Sequence, residues 1–348
     1  MGKNSNAIVI AAAIIIVIYG MQAAKVLLVP FLLAGFIGLI TVRPMLWMQR
    51  HRVPAMVAAL IIVLVIMLVL TLIGAIVGTS LAEFTSALPS YQARLDDLER
   101  NVFEYLSTFL DDDSAIEGFR DVVDPGWAMS VVATTLNAVR EVLTNVLLIL
   151  LTIVFILLEA SGLPTKLRAV LGRSRESLEI ERDFLMDNLG RYLGIKTLIS
   201  MMTGLCAGVL TWAIGVDFPL LWALLAFLLN YIPTIGSIIA AVPAVLLAVV
   251  QLGFGPALGT AIGFVAINIV FGNFLEPRMM GRGVGISPLI VFMGIFFWGW
   301  IFGPIGMLLS VPMTMSLKMA FERDEQTRWI AILLGSERDA EFALEKQE

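Results

Sequence analysis

Of the 348 residues, 59% are hydrophobic and only 15% are charged, and the net charge at neutral pH is −5. Such a balance excludes a soluble globular domain and places the chain among integral membrane proteins. One histidine, His51, and one cysteine, Cys206, exclude an internal disulfide, a cysteine or histidine metal cluster and a Ser-His-Asp triad.

A helix needs about 20 apolar residues to cross a hydrocarbon core roughly 30 Å thick. Residues 7–24 and 26–42 read as two spans separated by Lys25. The first lacks a small-x-small cleavage site ahead of charged sequence, so it is expected to be retained as an anchor. The short loop after the second span carries Arg43, Arg50 and Arg52 with no acid. Basic short loops stay on the cytoplasmic side, which puts the N-terminus there as well. Residues 53–82 form a third, long uncharged span.

The charge balance then inverts. Residues 83–138 hold eleven acids against three bases, Arg94, Arg100 and Arg120, and are expected outside the cell. Tyr91, Leu95, Leu98, Val102, Tyr105 and Phe109 follow the spacing of one helical stripe, suited to packing within the molecule or between subunits. Asp111–Asp113 lacks the spacing of a calcium loop and reads as a solvated turn. Residues 142–158 form a fourth span. Lys166 to Lys196 alternates bases with acids and places Leu178, Leu185, Leu189 and Tyr192 on one face, as in an amphipathic surface helix. Residues 195–215 are a fifth span, in which Gly204-x-x-x-Gly208 permits close helix contact.

Two apolar stretches, 222–252 and 288–321, are too broken for simple spans. The first is interrupted by Asn230, Pro233, Gly236 and Pro243, the second by Gly303, Pro304, Gly306 and Pro312. Backbone groups freed by proline and glycine at membrane depth need protein, water or ligand to satisfy them. Each stretch is therefore expected to be a helical hairpin that enters and returns, with residues 255–274 crossing between them. Span plus hairpin, 195–252, would recur as span plus hairpin, 255–321, in an inverted repeat suited to alternating access. The fold expected is all-α: a polytopic membrane protein with two Pro/Gly-broken hairpins. Its divisions are 1–82, 83–138 (periplasmic), 139–194, the transport core 195–322 and a cytoplasmic tail 323–348.

Polar side chains are sparse in the apolar region, and an unpaired amide there costs a few kcal/mol. Asn230, Thr234, Ser237, Asn268 and Asn273 are the candidate contacts for a small polar solute; the alternative is that they cap broken helix ends. Asn268 lies about 140° around a helix from Asn273, so the two should not face one ligand. Pro233, Gly236, Glu276, Pro277, Arg278, Gly303, Pro304 and Gly306 are candidate gate or hinge positions, with Glu276 and Arg278 read as a gate pair or a salt bridge fixing the turn. The glycines of 281–285 lack a phosphate-binding fingerprint, so no nucleotide drives transport within this chain. No catalytic residue, metal, cofactor or nucleic-acid partner is expected.

The stretches NYIPTIGSIIAAVPAV, INIVFGNFLEPRMMGRGVGISPLIVF and WGWIFGPIGMLLSVPMT resemble the autoinducer-2 exporter family. LLVPFLLAGFIGLITVRPMLWM, RVPAMVAAL and LLTIVFILLE in the first half agree. The resemblance implies a bacterial inner-membrane permease that releases autoinducer-2, a homo-oligomer of five subunits, and elevator-like movement. The motif positions carried over are Asn230, Pro233, Gly236, Asn273, Glu276, Pro277, Arg278, Gly303, Pro304 and Gly306. Some relatives are linked to sodium/proton antiport, which stands as the second reading; a channel or membrane assembly is the third.

Overall fold

The computed structural model describes residues 3–107, 146–160, 175–280, 285–322, 325–337 and 341. Among them the chain is helical, without a strand, and six helices are long and apolar enough to cross a membrane. Two helices open the chain, α1 (Lys3–Ala23) and α2 (Lys25–Arg50), and α3 (Ala55–Ser107) follows Arg52, whose φ is +66°. Helix α4 (Val146–Ala160) buries Ile149, Leu150 and Ile153 against Leu33 and Ala34 of α2 and Ala59, Ile62 and Ile66 of α3.

Two expectations change in register. The third span and the start of the acidic segment form one helix of 53 residues, about 80 Å long, which continues through Pro89. Hydroxyls of Thr85, Ser86 and Ser90 bond carbonyls three residues back around that proline, binding up carbonyl oxygens in the turns beside it. Similarly, the surface helix and the fifth span are a single helix, α5 (Arg175–Ile214). Its Leu189, Tyr192 and Leu193 bury against Val311, Met315 and Met319, so this face packs on the protein itself. Tyr91 packs beside Phe84, within the molecule. The remaining side chains of its stripe, Leu178 and Leu185, and the run Asp111–Asp113 lie outside the described residues.

Helix α6 (Pro219–Leu229) and α7 (Ile235–Leu252) make the first hairpin. Eleven residues span about 16 Å, well short of a bilayer. Gly204 and Gly208 of α5 face α6: a Cβ at Gly204 would lie 2.6 Å from the Ala223 carbonyl, and one at Gly208 2.8 Å from the Ala223 Cβ. After Gly253 (φ +88°) the chain returns as α8 (Phe254–Asn268), then a π-helical segment (Ile269–Leu275), then α9 (Glu276–Met280).

The second hairpin is α10 (Pro288–Phe302) and α11 (Pro304–Glu322), turning at Gly303 (φ +70°). Its limbs interlock: the Trp298 indole N–H donates to the Thr314 hydroxyl at 3.0 Å, and a Cβ at Gly306 would overlap the Trp298 carbonyl. Helix α12 (Arg328–Leu334) folds back, its Leu334 carbonyl accepting from the Ser287 N–H at 3.1 Å. Large apolar side chains stay exposed along α1, α3 and α8 (Ile16, Leu68, Ile262), as contact with lipid requires.

Candidate functional site

The break in the first hairpin is held by one turn of α5. Lys196, Thr197 and Ser200 each reach a different part of the core. The Lys196 ammonium donates to both carboxylate oxygens of Glu276 at 2.7 Å, with the two side chains 3% and 18% exposed. The Tyr231 hydroxyl donates to the Thr197 hydroxyl at 2.7 Å, and the Asn230 amide donates to the Ser200 hydroxyl at 2.9 Å. Asn230, where α6 ends, is 6% exposed and spends its amide N–H on Ser200 of α5. Tyr231 also stacks edge-on with Phe36 of α2 and Phe227 of α6.

Beyond Tyr231 the chain makes a strained corner. Thr234 has φ +58° and ψ −52°, and the Ile235 N–H donates to the Pro233 carbonyl at 2.6 Å, closing a γ-turn centred on Thr234. A β-branched residue rarely takes positive φ. Two residues on, Gly236 must be glycine: a Cβ would overlap the Leu229 carbonyl across the break. The Ser237 hydroxyl then bonds the Thr234 carbonyl at 3.1 Å, tying the corner to the first turn of α7.

An open-sided cavity of about 340 Å³ lies between α7 and α8, and Ser237 and Asn268 line it at one end. The other eight lining residues are apolar, Ile238 and Val265 at the open side more than half exposed, so the polar groups are concentrated where α7 begins and α8 ends. Of the five candidate contact residues, this cavity gathers Ser237 and Asn268, with Thr234 joined to it through Ser237. Asn273 is exposed on the π segment and does not line it.

The gate and hinge candidates divide similarly. Glu276 is paired with Lys196, while the Arg278 guanidinium sits 5.6 Å from the centre of the Phe274 ring. Pro277 follows the π segment near the end of the continuous helix Phe254–Met280, where its ring removes one backbone donor. Pro233 and Gly236 shape the first break; Gly303, Pro304 and Gly306 shape the second, whose Ile305 packs on the α2–α3–α4 cluster. Lys196 is the partner of Glu276 that the sequence reading passed over. Its signal was a polar series at helical spacing, Lys196, Ser200 and Thr203, inside an otherwise apolar run.

A second polar junction lies where α3 emerges from its apolar stretch. The Tyr91 hydroxyl donates to the Asp217 carboxylate at 2.7 Å, and the Asp217 N–H donates to the Gln251 side-chain oxygen at 2.9 Å. The Trp222 indole donates to the Asp217 carbonyl at 2.7 Å, and Arg94 reaches the Gln251 carbonyl. Burial first, and then the Asp217 carboxylate, push the Tyr91 phenol above its ordinary pKa, so it remains a donor. Among the described residues no group of three or more histidine, cysteine or acidic side chains is placed to hold a metal.

The sequence matches the model of the AI-2E family transporters over residues 8–324. The AI-2 transport protein TqsA of Escherichia coli strain K12 is 39% identical over 329 residues, covering 94% of this chain and 95% of that protein. A Haemophilus influenzae relative is 38% identical over 332 residues, covering 94% and 95%, and YhhT of E. coli is 33% identical over 330 residues, covering 94% and 93%. A multi-pass helical membrane protein built on two broken hairpins, matched over nearly its whole length, this chain belongs to the AI-2E transporter family.

Proposed function

We propose that the protein exports a small polar signalling molecule across the bacterial inner membrane, autoinducer-2 by its likeness to TqsA. The observation that carries this reading is the cavity between α7 and α8, whose polar lining side chains among the described residues are Ser237 and Asn268. Its volume suits a small molecule, and it adjoins both the strained corner at Thr234 and the π segment, two places where backbone is poised to move. Residues 195–322 act as the transport core, moving against the remaining spans in an elevator-like cycle, within a pentamer. An inverted repeat is supported by corresponding positions in the two hairpins: Pro219 with Pro288 at the start, Gly236 with Gly306 against a backbone carbonyl, and Pro243 with Pro312 in the returning helix.

Autoinducer-2 efflux from sealed vesicles tests the reading. Asn268→Ala is expected to slow efflux about tenfold, the worth of roughly one hydrogen bond to cargo, with an unchanged melting temperature. Unchanged efflux in that variant removes the cavity from the pathway. Sodium/proton exchange is the second reading, favoured by the partly buried Glu276 carboxylate. Collapse of a pH gradient on adding sodium, with no autoinducer-2 release, would select it.

A further inference from the structure

A register fault lies between the cavity and the ion pair. Asn268, at the polar end of the cavity, is the last residue before the π segment, and Glu276 is the first residue after it. The backbone carries the fault: the Glu276 N–H donates to the Phe271 carbonyl five residues back, where an α-helix would use Gly272. The Asn268 side chain lies along the same segment, for a Cβ at Gly272 would come within 3.0 Å of its Oδ1. One segment therefore connects a cavity-lining amide to a partly buried carboxylate paired with a buried lysine.

The chemistry of the pair bears on what that segment does. Two charges withdrawn from water are expensive, and apolar side chains of similar volume often hold a buried contact at least as well. Helix packing alone does not call for Lys196 and Glu276. A π segment contains one residue more than the α-helical path it replaces, so restoring α register turns whatever follows by about 100° relative to what precedes. Such a turn takes the Glu276 carboxylate off the face that meets Lys196.

We propose that Lys196 is a positioning residue for transport: its ion pair with Glu276 holds residues 269–275 in π register, and release of the pair switches the segment and reshapes the Asn268 end of the cavity. The proposal rests on the transport reading above, and its test separates the two. The full-length protein is purified, its melting temperature and the amide exchange of residues 269–276 are measured, and autoinducer-2 efflux is followed in proteoliposomes. Lys196→Gln and Glu276→Gln are each expected to quicken exchange in that segment and to slow efflux, both by about tenfold. Reversing the pair, Lys196→Glu with Glu276→Lys, is expected to restore slow exchange and much of the efflux.

An apolar pair, Lys196→Met with Glu276→Leu, separates positioning from mere adhesion. It is expected to melt near the wild-type temperature yet lose efflux about tenfold. Full efflux from that double variant overturns the proposal, because the ion pair would then only hold two helices together. Wild-type exchange across 269–276 in Glu276→Gln overturns it equally. If the wild-type protein releases no autoinducer-2, the cargo reading falls, and the exchange measurements alone decide on the pair.

Discussion

Thr234 concentrates strain at a single residue. Its φ of +58° is forced because the chain must reverse between Leu229 and Ile235 within five residues. Replacing it by glycine relieves a cost of about 1–3 kcal/mol at some loss of chain entropy. Thr234→Gly should therefore raise stability by about 1 kcal/mol, read as a higher melting temperature in detergent, and a lower melting temperature would show the corner to be unstrained. Tyr91 is the opposite case, a well-satisfied residue. Tyr91→Phe leaves the Asp217 carboxylate without its 2.7 Å donor and should cost about 1 kcal/mol, with little effect on cargo affinity. The asparagines show how far residue identity alone could go. Their presence in an apolar run announced that each needed a partner. Which one meets a cavity depended on the neighbouring helix, and α5 claimed Asn230 with Ser200 while leaving Asn268 to the cavity.

At the scale of elements, each hairpin depends on a glycine that lets one limb's backbone touch the other's. Gly236 and Gly306 each stand against a carbonyl where no Cβ fits, and that carbonyl belongs to a helix rather than to a flexible side chain. Gly236→Ala and Gly306→Ala should each cost about 3 kcal/mol or more and lower the yield of monodisperse protein. Gly35→Ala and Gly78→Ala are the matched controls: both glycines lie in helices with open space around the added methyl. They should be neutral or stabilising by up to about 1 kcal/mol. If Gly236→Ala behaved like these controls, the hairpin packing described above would be wrong. The elements were also where the sequence misled about continuity. Neither α3 nor α5 breaks where composition changes, because a helix is sustained by its backbone hydrogen bonds and does not stop at a change from apolar to polar side chains. The π segment was not anticipated from the sequence, and it shows only in the Glu276 N–H reaching the Phe271 carbonyl in place of Gly272.

For the whole molecule, the arrangement of apolar surface is that of a protein solvated by lipid. Helices α1, α3 and α8 turn isoleucine, leucine and valine outward, while the cores between α2, α3 and α4 and between α5, α6 and α7 are buried. The apolar length Ala55–Ala87 separates the arginine loop from the α3 extension by a bilayer's thickness. Single cysteines at Arg50 and Ser90, introduced in a Cys206→Ser background, should react with an impermeant maleimide from opposite sides of oriented vesicles. Arg50→Cys is expected to label from the cytoplasmic face and Ser90→Cys from the outer face. Labelling of both from one side would break the parity on which the orientation rests.

Length, apolar content and the distribution of charge determined by themselves that this is a helical membrane protein, where its uncharged runs lie and where they are broken. They do so because hydrocarbon leaves a backbone few ways to satisfy itself and punishes each stray charge. The partners were decided by the tertiary structure. Lys196 meets Glu276 across 80 residues of chain, and Ser237 shares a cavity with Asn268 only because α7 and α8 lie side by side. A polar side chain in an apolar helix declares that it must be paired, but its partner is set by how helices dock, and docking depends on shapes distributed over the whole chain.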